Sequence, residues 1–313
     1  MVSSTHPRVG FVGVGKLGRP MAQRLMEFGF NLIVFDTDNA ATSQFERTNA
    51  SIAKSLENLV MECEIICLCL PGPDEMKKVL LGQGGIEANI RPGTLIIDHT
   101  TNSPALVREV EKRLKLRKAA MVDAPVSGGV EGAAKGSLTT LVGGDLVDFE
   151  RARGLLECFS NTVLHVGPIG TGTVAKLMNN LAAFALDQVI AECLTIGESA
   201  GIEANRLLQA LQQSAIGKGG NLHERIPETF MKGDFSPRFT LAGAHKDLHL
   251  AVEMADEGEV PVKIARNVLN ELKAALSMGL GDQDASVAMT LQEQRSGIHI
   301  SNRLAKNNHQ IDL

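Results

Sequence analysis

Lys176 and Asn180 stand four residues apart in the stretch GTGTVAKLMNNLAAFALDQVIAECLTIGESAG, residues 170–201, whose apolar side chains fall on nearly every side of a helix. Residues four apart share one face of a 3.6-residue helix, and Asp187 returns to that face further along. A helix that is hydrophobic all round is expected to be buried. A lysine facing a protein interior must hold a partner or shift its pKa, because isolated buried charge is costly. Lys176 is therefore a candidate for proton transfer; the alternative is a helix lysine that snorkels to solvent.

A second group sits near the start of the chain. A short apolar run, residues 8–13, leads into Gly13-Val14-Gly15-Lys16-Leu17-Gly18, and Pro20, Met21, Ala22, Leu25 and Met26 follow at helical spacing. In such a strand, GxGxxG and helix arrangement, the first glycine permits the tight turn and the second lets the backbone approach a pyrophosphate. The third lets the helix pack closely on the strand. The helix N-terminus then presents free N–H groups to an anion. The next strand, residues 31–35, runs into Asp36, and an acid at that distance from Gly13 suits the adenosine ribose hydroxyls and repels a 2′-phosphate. No arginine follows in Thr37-Asp38-Asn39, so NAD is expected over NADP. The competing reading of Asp36 is a helix N-cap or turn residue.

The stretch DAPVSGGVEGAAKGSLTTLVGGD, residues 123–145, is a second glycine-rich loop. Ser127, Gly128 and Gly129 offer a hydroxyl and flexible backbone N–H groups for an anion, or form a plain turn between strand and helix. His245 and His249 at i and i+4 invite a metal, but no third ligand or HExxH glutamate accompanies them, so none is assigned. Cys67 and Cys69 alternate within EIICLCL and lack CxxC spacing, which reads as core packing.

The elements that must position these groups change character along the chain. Strands at 64–70, 94–98 and 119–124 alternate with helices at 74–81 and 103–116, the pattern of a mainly parallel, doubly wound sheet. Strands at 137–142 and 162–166, flanking a helix at 146–159, close this first half. Its ligands are expected beyond the carboxyl ends of the strands, at residues 70–71, 99–101 and 123–125. After the 170–201 helix only helices follow, at 204–213, 240–256, 262–278 and 285–294. The expected organisation is α/β: a doubly wound sheet domain over 1–168, an all-helical domain over 169–296 joined by the long central helix, and a polar tail over 297–313 expected to fray.

The chain is long enough for two domain cores. Its net charge of -5, with both signs interspersed, offers no basic stripe and excludes a nucleic-acid reading. The polar residues Asn179, Asn180, Asp187, Gln188 and Glu192 interrupt the central helix and argue against a membrane span. MVSSTHPR has no apolar core of a secretory signal, and five dispersed cysteines suit a reducing compartment, so a cytoplasmic location is expected.

Four separated motifs, GFVGVGKLGRPMAQRL, DAPVSGGVEGAAKGSLTTLVGGD, GTGTVAKLMNN and FTLAGAHKDL, together resemble the β-hydroxyacid dehydrogenase family, which includes 3-hydroxyisobutyrate dehydrogenases and tartronate semialdehyde reductases. The resemblance spans residues 8–286 and implies a Rossmann-type sheet domain, NAD, and reversible hydride transfer on a small carboxylate-bearing hydroxy acid or aldehyde acid. It implies that Lys176 is the catalytic lysine of a K-x-x-N-N pattern, with Asn180 helping to hold the substrate. Ser127, Gly128 and Gly129 would bind the substrate carboxylate. Leu70, Pro71 and Thr101 match positions lining the cofactor, and Lys246 matches a lysine that closes over it, with Asp247 as its companion.

The chain departs from the family pattern at Leu17 and Arg24, which changes little. His99 replaces a small residue, and residues 217–221 lack an aromatic, and both differences are expected to reshape the substrate pocket. Rival readings are an aldehyde-acid reductase, an imine reductase, against which Lys176 argues, and a non-catalytic NAD-binding protein. A homodimer or homotetramer would cover the apolar central helix.

Overall fold

A computed structural model describes residues 7–301 of the chain, so residues 302–313 of the expected tail lie outside the described residues. The chain divides into two compact units, the first ending at Ala182 and the second beginning at Ala183.

The first unit is built on one nine-stranded sheet. Its strands are β1 (Val9–Val12), β2 (Leu32–Phe35), β3 (Ser51–Ile52), β4 (Ile65–Leu68), β5 (Leu95–Asp98), β6 (Ala120–Asp123), β7 (Val126–Ser127), β8 (Leu138–Gly143) and β9 (Ser160–Gly167). The spatial order β3-β2-β1-β4-β5-β6 is that of a Rossmann-type sheet, and these strands pair in parallel. The order reverses between β1 and β4, where a sheet of this kind opens a crevice beyond its strand ends. Beyond β6 the chain doubles back: β8 is antiparallel to β6 and to β7, while β9 lies parallel to β8. The central strands read as unbroken apolar runs, VGFV, IICL and LIID, because helices cover both faces. Two clusters of buried residues follow, one on each face. Phe11, Met21, Leu25 and Phe159 belong to the first, and Ile66, Leu68, Met76 and Val110 to the second. Cys67 packs in the first cluster as a small hydrophobe, and burial pushes its thiol up, so it carries no thiolate chemistry.

The expected division at 168/169 lies ahead of the central helix Thr171–Ser199, whereas by compactness the chain divides inside that helix. The reason is local: the first helical turn is bonded to Asp123 of β6 and packs closely on β8, as described below, and stays with the sheet.

The second unit is helical, with Ala204–Gln213, Leu241–Glu257 and Lys263–Ser277 followed by a 3₁₀ turn Ala285–Met289 and the helix Thr290–Ser296. Within it Glu192 accepts the N–H groups of Lys263, Ile264 and Ala265 at 2.8, 2.9 and 2.9 Å. It caps a helix whose own N-cap residue, Val262, has no side-chain acceptor. The start of the expected tail is tied down rather than frayed, because the Glu293 carboxylate accepts the N–H groups of Ile300 and Ser301.

The expectation that the central helix is buried fails along its middle. Residues 181–188 are exposed, with Leu181 at 63% and Phe184 at 65%. Hydrophobicity on every side shows that a helix needs cover, not what supplies it. By length and composition alone this helix is also apolar enough to cross a membrane.

Candidate active site

The glycine-rich turn after β1 opens a cleft of about 680 Å³ lined by Gly13, Gly15, Lys16, Asp36, Leu70 and Pro71, among others. Gly13 has φ +88°, and a Cβ there would stand 2.3 Å from the Cys69 carbonyl oxygen. A Cβ at Gly18 would stand 2.0 Å from the Gly13 carbonyl oxygen, so this position packs the helix Gly18–Glu27 on the turn. A Cβ at Gly15 would meet nothing within 4 Å. The middle glycine thus bares its backbone to the cleft, where a pyrophosphate fits at the helix N-terminus.

Asp36 is half-buried at the end of β2. One carboxylate oxygen accepts the Val14 N–H at 2.9 Å and the other the Asp38 N–H at 2.9 Å. A carboxylate has about four acceptor sites, so capacity remains for the ribose hydroxyls. The helix N-cap considered for Asp36 is instead Asp38, which accepts the Ala40 N–H at 2.9 Å. Lys16 is exposed, Val14 is buried, and Leu17 packs against the first core cluster. On the far side of the cleft the Thr100 hydroxyl accepts the Leu70 N–H at 3.1 Å, tying the β4 loop to the end of β5. Thr101 follows as an exposed residue.

The second glycine loop leaves β6 at Asp123 and passes through β7. Gly128 has φ +125°, which favours glycine, and a Cβ there would come within 3.0 Å of Leu138 Cδ2, which would have to shift slightly. Gly128 links β7 to a short helix, Gly129–Lys135, as its N-cap. Ser127 is half-buried, while Gly128 and Gly129 are exposed. The first N–H groups of such a helix have no intrahelical acceptor.

Lys176 lies one turn inside the central helix and is half-buried. Among the described residues it forms no ion pair or hydrogen bond, and burial holds its ammonium below the ordinary lysine pKa. Asn180 is half-buried one turn on, accepting from the Asn179 side chain at 3.3 Å.

The residue that sequence reading missed is Asp123. Fully buried, it accepts the Gly170 N–H at 2.7 Å on one oxygen and the Thr173 N–H at 2.6 Å on the other. It therefore caps the helix bearing Lys176 from the strand that leads to Ser127. Burial pushes its carboxyl pKa up, and the two N–H donors oppose that shift. The available signal was an acid closing a strand, paired with the glycines of GTGTVAK.

His99, expected to reshape the substrate pocket, points into the core. Its ring stacks on Phe11 at 6.4 Å and meets Phe159 edge-on at 5.4 Å. Nδ1 donates to the Ala124 carbonyl at 2.8 Å, since a carbonyl only accepts. Burial lowers the His99 pKa to about 4.

In the helical unit, Lys246 is exposed and pairs with Asp247 at 2.7 Å. His245 and His249 stack at 6.1 Å, and His249 faces Glu253 at 3.2 Å. Among the described residues no group of three or more His, Cys, Asp or Glu is placed to hold a metal.

Comparison with known proteins adds sequence relationships to this geometry. The profile of the NAD binding domain of 6-phosphogluconate dehydrogenase matches residues 8–167, and that described as NAD-binding of NADP-dependent 3-hydroxyisobutyrate dehydrogenase matches 170–291. An NAD-dependent L-serine dehydrogenase of Pseudomonas aeruginosa is 33% identical over 93% of this chain and 99% of its own. The mitochondrial 3-hydroxyisobutyrate dehydrogenase of Mus musculus is 30% identical over 91% of this chain and 87% of its own. A solved 3-hydroxyisobutyrate dehydrogenase of Mycobacterium tuberculosis, with L-serine, superposes with a TM-score of 0.63 at 29% identity, covering 91% of this chain and 99% of that one. With both profiles in chain order on a Rossmann-type sheet and a helical unit, the chain belongs to the β-hydroxyacid dehydrogenase family.

Proposed function

We propose that Lys176 is the general acid–base of reversible hydride transfer on a small β-hydroxy acid whose carboxylate is held by Ser127, Gly128 and Gly129. The chain is an NAD-dependent oxidoreductase of the CH–OH group of β-hydroxy acids. The observation that carries the lysine's role is its state: half-buried, unpaired among the described residues, and depressed in pKa. A general base works best with a pKa near working pH.

The Gly13–Gly18 turn and Asp36 would hold NAD, which when bound would supply the hydride acceptor for the alcohol carbon. Neutral Lys176 takes the hydroxyl proton on Nζ as the C–O bond becomes a carbonyl. In the reverse direction its ammonium returns that proton to the oxygen. The Ser127 hydroxyl and the N–H groups of Gly128 and Gly129 fix the carboxylate, and Asn180 orients the substrate from the same helix face as Lys176. Fixing head group and hydroxyl together makes the reaction effectively unimolecular, which carries much of the rate.

The names of the relatives point to 3-hydroxyisobutyrate and L-serine as first substrates to test. Reduction of an aldehyde acid uses the same residues with the proton moving the other way. We place the chain in the cytosol, on its five free cysteines. We also assign it to a homodimer or homotetramer, because Leu181 and Phe184, one turn apart, leave an apolar face uncovered. The test is NADH formation, read by absorbance, over a panel of small β-hydroxy acids with NAD and NADP. Turnover of at least one acid, faster with NAD, is expected; an inert panel in a protein that binds NADH would contradict this reading.

A further inference from the structure

We propose that Asp123 is a positioning residue for catalysis, whose buried carboxylate sets the placement of Lys176 relative to the Ser127–Gly129 loop through the backbone of the central helix. This deepens, and rests on, the roles given above to Lys176 and that loop.

Asp123 ends β6, and the chain leaving it carries Ser127. Its two oxygens take the N–H groups of Gly170 and Thr173, and Lys176 lies three residues beyond Thr173, on the same side of the helix. No side chain intervenes. A Cβ on Gly172 would stand 2.4 Å from the Leu141 carbonyl oxygen and 2.6 Å from that of Asp123. A Cβ on Gly143 would stand 2.4 Å from the Asp123 carboxylate and 2.7 Å from the Gly172 nitrogen. The first helical turn therefore rests backbone on backbone against β6 and β8, and it cannot slide without breaking both Asp123 bonds. The neighbouring residue is held too, because His99 Nδ1 donates to the Ala124 carbonyl at 2.8 Å. Both residues at the root of the substrate loop are thus fixed from inside, while Gly128 and Gly129 stay exposed to a ligand.

An acid that merely stabilised the fold would change melting temperature without separating binding from turnover. The variant Asp123→Asn weakens the hold on Gly170 and Thr173 from the strand side, and Thr173→Pro removes the Thr173 bond from the helix side. Asparagine keeps the shape but presents an amide to one N–H, and proline removes the Thr173 donor within the first turn, where helices tolerate it. NADH binding by fluorescence titration, and kcat and KM with 3-hydroxyisobutyrate and L-serine as probes, are measured for each variant, the double variant and Lys176→Ala. The expected result is NADH affinity within about twofold of wild type and a roughly 100-fold fall in kcat, the scale of a 1 Å misplacement. The double variant should fall by less than the product of the two single effects, since both variants act on the one Asp123 contact. A kcat within about twofold of wild type in either variant overturns the proposal. So does loss of NADH binding in both, which would make the bond a requirement of the whole fold. An inactive Lys176→Ala beside a fully active Asp123→Asn removes only the positioning role. An active Lys176→Ala removes the acid–base assignment beneath it.

Discussion

The carboxylate of Asp123 accepts the backbone N–H of Thr173 at 2.6 Å across fifty residues of sequence, joining the strand before the Ser127–Gly129 loop to the helix bearing Lys176. Anions are favoured at helix N-termini by the dipole and the free N–H groups. Here the same contact also carries positional information, since the two groups assigned to the substrate lie on its two sides.

Asp36 is expected to set cofactor choice. Asp36→Ala removes the negative charge proposed to face the ribose and frees the Val14 and Asp38 N–H groups. Hydrogen bonds to charged groups contribute about 1.5–3 kcal/mol, so the ratio of kcat/KM for NAD over NADP should fall by roughly 10- to 100-fold. Steady-state kinetics with both cofactors check this, and an unchanged ratio would place discrimination elsewhere.

Ser127→Ala and Gly128→Ala should separate binding from backbone strain. Loss of the serine hydroxyl should raise KM for the hydroxy acid by roughly tenfold, about the value of one charge-assisted hydrogen bond, with NADH affinity unchanged. Gly128→Ala forces a Cβ at φ +125° against Leu138, a strain of about 1–3 kcal/mol. It should therefore lower unfolding stability as well as raise KM. Urea unfolding alongside kinetics distinguishes the two.

Asp98 and His99 should give opposing pH dependences of stability. Burial lowers His99 from 6.5 to about 4, so the unfolded chain binds its proton first, and stability is lost as pH falls through that window. Burial raises Asp98 from 3.8 to about 6, against hydrogen bonds from Thr100 and Asn102. That contribution is present at low pH and is lost as pH rises toward 6. Each is on the order of 3 kcal/mol. Relative to wild type, His99→Asn should therefore gain stability between pH 6.5 and 4, and Asp98→Asn should lose it. Denaturant unfolding at pH 4, 5 and 6.5 measures both, and parallel curves would contradict the account.

Much of this architecture was legible in the chain. The runs at 8–13, 31–35 and 94–98 are strands because apolar residues buried on both faces leave an unbroken signal, and Gly13 and Gly18 of the GxGxxG turn are demanded by their contacts. The short helix Gly129–Lys135 was hidden because its glycines and alanines carry no hydrophobic period. The capping role of Asp123 was hidden because its acceptors' partners lie far along the chain, beyond any local pattern. His99 was misread as a pocket residue because a residue's identity at a strand end does not say which face it takes; stacking on Phe11 decided that. The apolar period of the central helix gave its extent but not its exposure.

The most direct test of Lys176 as acid–base is the pH dependence of kcat/KM for oxidation in wild type and Lys176→Ala, with NADH binding measured on the same samples. Oxidation requires the neutral amine, so wild-type activity should rise with pH and level off at a lower pH than an ordinary lysine would allow, because burial depresses this pKa. Lys176→Ala should bind NADH as wild type does, lose roughly 10²- to 10⁴-fold in turnover, the usual share of acid–base catalysis, and lose that rising limb. A variant that keeps wild-type turnover and the same limb would show that the proton goes to another group.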